Sequence, residues 1–81
     1  MHQKPFHLFM DEYIQDFIKK YGANLENYSL YDTIISQVEK SLISAVLIST
    51  KNNQSKAAAM LGISRVTLKN KIASLGIKID A

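Results

Sequence analysis

The chain has 81 residues, 47% of them hydrophobic, no cysteine and a formal net charge of +3. One domain at most fits this length, and so small a domain buries only about 60% of its unfolded surface. Disulfides and thiolate metal sites are excluded, and His2 and His7 are too few for a zinc cage, so oligomerisation is the device left to support the core. No apolar run approaches the roughly 20 residues of a membrane span. Residues 1–20 carry charges throughout and no signal-peptide core. A soluble, cytoplasmic chain is expected.

Apolar residues recur with a helical period along the chain and never alternate as in a strand, so the expected fold class is all-α with four helices. Phe6, Phe9, Met10, Tyr13, Ile14, Phe17, Ile18 and Tyr21 form one stripe of a first helix over about 5–21. Pro5 suits its first position, and Gly22 a left-handed terminus. The aromatic set of Phe6, Phe9, Tyr13, Phe17, Tyr21, Tyr28 and Tyr31 reads as core rather than as a base-stacking platform. A polar stretch over 23–27 leads to the second helix. Ser29 is its expected N-cap, with Asp32 completing a pair like a capping box.

Leu30, Tyr31, Ile34, Ile35, Val38, Leu42, Ala45 and Val46 make the stripe of this second helix, which is expected to end near Thr50. From Leu42 to Ile48 it is apolar nearly all round, and such a surface must be buried all round. A lone chain of 81 residues offers too little cover. A homodimer is therefore expected, with Ile34, Ile35, Val38, Leu42, Ile43, Val46 and Leu47 at its interface. The alternative is a central core helix in a tight monomer.

A third helix is expected over Gln54 to Leu61, capped by Asn53 and closed by Gly62. Ser64 then caps a fourth, which runs to about Leu75 before Gly76. Residues 77–81 read as a short tail. The whole is one domain over 1–81, with dimerisation helices in 5–50 and a helix-turn-helix in 51–76.

Charge divides along the same line. Residues 1–50 hold four lysines against six acids, a net −2. Residues 51–81 hold Lys51, Lys56, Arg65, Lys69, Lys71 and Lys78 against Asp80, a net +5. Only the second half is suited to a polyanion.

The segment from Asn53 to Ile72 reads helix, glycine turn, helix. Ala57, Ala58 and Ala59 supply small residues for a close approach of two helices. Gly62 supplies a positive φ in the turn. Ile63, Leu68 and Ile72 supply the apolar anchor. Arg65, Lys69 and, less squarely, Lys71 lie on the opposite face. Ser64, Arg65 and Thr67 occupy the first turn, the part that meets base edges in a major groove, and Arg is the commonest bidentate reader of guanine. Gln54 and Ser55 begin the third helix, where capping and phosphate contact are equally open. No Ser/His/Asp or Cys/His set and no glycine-rich phosphate loop is present. No catalytic residue, metal or other cofactor is expected, and the chain reads as a non-enzyme.

The segment Asn-Gln-Ser-Lys-Ala-Ala-Ala-Met-Leu-Gly-Ile-Ser-Arg-Val-Thr-Leu-Lys at 53–69 resembles the helix-turn-helix of the Fis family. The resemblance extends more loosely through Val38-Glu39 and Leu30-Tyr31 to Lys4-Pro5. It implies a homodimer with interlocked first and second helices that binds and bends double-stranded DNA as a nucleoid-associated regulator. By position, Arg65 matches the base-reading arginine, and Asn53, Ser55, Thr67 and Lys69 match backbone or groove contacts. Lys51, Lys56, Ser64, Asn70 and Lys71 complete the expected DNA-binding set. RNA polymerase is a further candidate partner; no membrane or small-molecule partner is expected.

Three positions depart from the best-known members. Ser64 stands in place of Asn, Asn70 in place of a cation, and Ser41 in place of a Pro that kinks the second helix. These imply a shorter or lost base contact, a weaker phosphate contact and a straighter helix. Four residues before the first helix leave no room for the β-hairpin arm that touches DNA invertases in long forms, so bending without stimulation of inversion is expected. The same helix-turn-helix ends many NtrC-type response regulators. The starting Met and the lack of an ATPase or receiver region favour a stand-alone protein. The alternatives are an isolated output module of such an activator and a helical dimerisation or adaptor protein that binds no nucleic acid.

Overall fold

A computed structural model describes residues 5–22 and 29–79. The expected linker at 23–27, Tyr28, His2, Lys4 and the last two residues of the tail lie outside them. Four helices follow in order: α1 (Phe6–Tyr21), α2 (Leu30–Ser49), α3 (Gln54–Leu61) and α4 (Arg65–Leu75). None of the helices among the described residues is long and apolar enough to cross a membrane. By compactness the chain divides into residues 1–34 and residues 35–81.

In the first unit, α1 has no buried residue, and Phe6, Phe9, Tyr13, Ile18 and Tyr21 stand exposed. Phe17 links its aromatic stripe, with ring centroids 6.2 Å from Tyr13 and 4.9 Å from Tyr21. Both ends of α1 differ from expectation. Pro5 is not the first helical residue but the cap position before it, with ψ at 146°. Gly22 is right-handed (φ −54°, ψ −37°) and its N–H still donates to the Ile18 carbonyl. Glycine permits a left-handed stop without imposing one, and here the helical ladder simply continues. Lys19 and Lys20 in the last turn complement the helix dipole. The expected cap of α2 is present, with Ser29 Oγ accepting from the Asp32 N–H at 3.1 Å.

In the second unit, the later part of α2 packs with α3 and α4. Ile43, Leu47, Ala57, Ala58, Leu68 and Ile72 form one buried cluster, with Val46, Leu61, Ile63 and Leu75 against it. Ile43 and Leu47 of α2 thus belong to the core of the helix-turn-helix. α2 runs unbroken through Ser41. Beyond Ser49 the chain reverses through two left-handed residues, Lys51 (φ 53°) and Asn52 (φ 63°). The Asn52 N–H donates to the Leu47 carbonyl at 2.8 Å. Asn tolerates this conformation well, whereas Lys stores strain there.

Candidate nucleic-acid interface

Local chemistry fixes α3 and α4 at both ends. Asn53 Oδ1 accepts from the Lys56 N–H at 3.1 Å, so the first-turn cap of α3 is Asn53 rather than Gln54 or Ser55. Gly62 ends α3 at φ 74°, with no atom within 4 Å of where its Cβ would lie. The turn therefore asks for glycine on conformational grounds and not for space. Ser64 Oγ accepts from the Thr67 N–H at 3.0 Å and donates to Thr67 Oγ1 at 2.9 Å. The Thr67 hydroxyl thus keeps its own proton to donate, while the Ser64 hydroxyl is committed to the cap.

Two of the three expected small residues make the close approach: Ala57 and Ala58 are buried, but Ala59 is exposed. Ala59 lies about 100° round the helix from Ala58 and about 200° from Ala57, which turns it away from the face those two bury. Leu68 is fully buried and Ile72 nearly so. They fix the rotation of α4 and turn its other side to solvent.

The structure leaves Lys51, Asn53, Ser55, Lys56, Ser64, Arg65, Thr67, Lys69 and Asn70 exposed. The segment 54–75 has four cations and no acid of its own. Lys71 differs from its neighbours. It is half-buried, and its Nζ donates to Glu39 Oε2 of α2 at 2.5 Å. Its charge is met within the chain, so contact with a phosphate first requires that pair to open. Lys69→Ala is accordingly expected to reduce the slope of log K against log salt by about 1 per contact. Lys71→Ala is expected to change it less, and to cost about 1 kcal/mol of stability through loss of the Glu39 pair. Anisotropy titrations at several salt concentrations, with urea unfolding of both variants, check this.

The expected dimer residues separate into two groups. Ile34, Ile43 and Leu47 are buried within a single chain, and Val46 packs on the same core as Ile43 and Leu47. Val38 is half-buried, while Ile35 and Leu42 are exposed, as is Ile48. Val66 belongs to neither the expected DNA-binding set nor the expected dimer set. It lies on the first turn of α4 and is 69% exposed. A helical wheel would have found it, because it lies about 200° from Leu68.

Comparison with known proteins places this geometry. The family model described as "Bacterial regulatory protein, Fis family" matches residues 34–75, a stretch that runs from within α2 to the last residue of α4. The DNA-binding transcriptional regulator NtrC of Rhizobium meliloti is 37% identical over 70 residues, 86% of this chain but 14% of that protein. The DNA-binding protein Fis of Aeromonas hydrophila is 36% identical over 67 residues, 79% of this chain and 68% of that protein. The DNA-binding protein Fis of Escherichia coli is 33% identical over 78 residues, 93% of this chain and 76% of that protein. The chain therefore spans about one seventh of the NtrC regulators it matches and most of the Fis proteins.

Proposed function

The chain belongs to the Fis family of bacterial regulatory proteins, and from that premise we propose that it is a non-enzymatic transcriptional regulator that binds and bends double-stranded DNA as a homodimer at the nucleoid. The observation that carries the reading is the α3–α4 unit. A fully buried Leu68 turns α4 so that Arg65 and Lys69 are exposed, Lys56 is exposed on α3, and the segment 54–75 holds no acid. Arg65 sits on the first turn, where base edges are in reach. Asn53, Ser55, Lys56, Thr67, Lys69 and Asn70 serve the phosphates and groove walls, with Lys51 at the preceding turn. Lys71 joins them only if Glu39 releases it.

Association is supported by the apolar side chains that the single chain leaves in solvent. Leu42 is 52% exposed and Ile48 is 78% exposed, and a second copy would bury them. Recognition helices closer together than one turn of B-DNA enter successive major grooves only if the duplex curves, at a cost of order 1–6 kcal/mol that depends on sequence. A·T-rich centres are then favoured without any base contact. A circular-permutation gel assay tests the proposal: mobility should depend on where the bound site lies, and position-independent mobility of a formed complex would refute bending.

A second reading draws on the match to NtrC. In it the same α3–α4 surface is the DNA-binding part of a longer regulator. Both readings put the same residues on DNA. RNA polymerase is a further candidate partner in either case.

A further inference from the structure

The outermost line of α4 is not charged. Leu68 and Ile72 point into the core, so the residues opposite them are Val66 and, one turn on, Asn70, both exposed. Arg65 and Lys69 flank this line on one side and Thr67 on the other. Val66 is the largest exposed apolar side chain of α4, at 69%. It is β-branched, a type that helices favour less than straight-chain residues. Neither helix propensity nor the core of this unit calls for valine at that place.

Resting on the DNA-binding reading above, we propose that Val66 is a specificity-determining residue that packs on the C5-methyl group of a thymine in the major groove. The argument is one of matching surfaces. A helix that enters the groove with Arg65 and Lys69 at its sides brings its outermost first-turn side chain against the base edges. Those edges offer donors and acceptors nearly everywhere, and a valine can satisfy none of them. The thymine methyl is the apolar feature of the major-groove edge. Facing any other base edge, the exposed isopropyl group would displace water from polar atoms and leave them unpaired. Val66 therefore favours thymine both by contact and by disfavouring the other bases. Arg65, its neighbour in the same turn, holds the helix in register on an adjacent pair.

The experiment removes only the methyl group. A duplex selected by the wild-type protein from a random pool is resynthesised with each thymine replaced singly by deoxyuridine, which keeps every hydrogen bond. Anisotropy titrations then compare the wild type with Val66→Ala, whose fold is checked by circular dichroism. At one position in each half-site, methyl removal should weaken the wild type by about fourfold, the transfer value of one methyl group. The same replacement should leave Val66→Ala nearly unchanged. If the wild type and Val66→Ala respond alike at every position, this inference is overturned while DNA binding stands. If the wild type selects and binds no duplex at all, both fall together.

Discussion

Leu68→Ala is expected to lower stability by about 3 kcal/mol, within the usual range of 2–5 for such a truncation in a packed core. Leu68 is the one large side chain in the described structure that is completely shielded from solvent. It sits in a cluster with Ala57 and Ala58, which are too small to collapse into the space it would leave. Total stabilities of small domains are about 5–15 kcal/mol, so the loss is a large share. Urea unfolding at one fixed protein concentration measures it, because association would make the midpoint depend on concentration. A loss below about 1 kcal/mol would show that α4 is not anchored as described. DNA affinity should fall with it, since the same side chain sets the rotation of the reading helix.

Leu42→Lys is expected to weaken self-association by at least 100-fold, equivalent to about 3 kcal/mol for burial of an unpaired charge. Leu42 suits the test because it is half exposed in the single chain. A lysine there leaves α2 intact until a partner arrives. Val46, which sequence reasoning also placed at the interface, would not discriminate. It packs against the chain's own core, so a charge there disrupts the helix-turn-helix whether or not a dimer forms. Sedimentation equilibrium at low micromolar concentration should show a dimer for the wild type and a folded monomer for the variant. A folded wild-type monomer under those conditions would remove the dimer from the account.

The parts of this structure that were legible in the sequence are those set by neighbours in the chain. The bounds of α3 and α4 follow from Asn53, Gly62, Ser64 and Gly76, each acting within four residues of where it stands. Gly22 escaped the same reasoning because a glycine allows either hand and its own sequence context does not choose. The all-round apolar surface of Leu42 to Ile48 announced burial but not against what. Only the packed structure shows that Ile43 and Leu47 serve the chain's own core while Leu42 and Ile48 do not. The Glu39–Lys71 pair joins residues 32 apart, a distance at which no local pattern operates. It changes Lys71 from a free cation into a paired one. Val66 was overlooked for a different reason: it is neither a polar or charged candidate for DNA contact nor one of the apolar anchors Ile63, Leu68 and Ile72, so its angle on the helix went unused.

The claim that α3 and α4 bind duplex DNA is tested most directly by equilibrium titration. Wild-type protein and the variant Arg65→Ala/Lys69→Ala are titrated against a labelled random duplex at several salt concentrations. Both substitutions are at exposed positions, so the variant should keep the wild-type circular dichroism. The wild type should bind, with log K falling linearly as log salt rises. The variant should bind at least about tenfold more weakly, with a shallower slope, from the loss of two cations per chain. A wild type that fails to bind at low salt, or a folded variant that binds with wild-type affinity and slope, would contradict it.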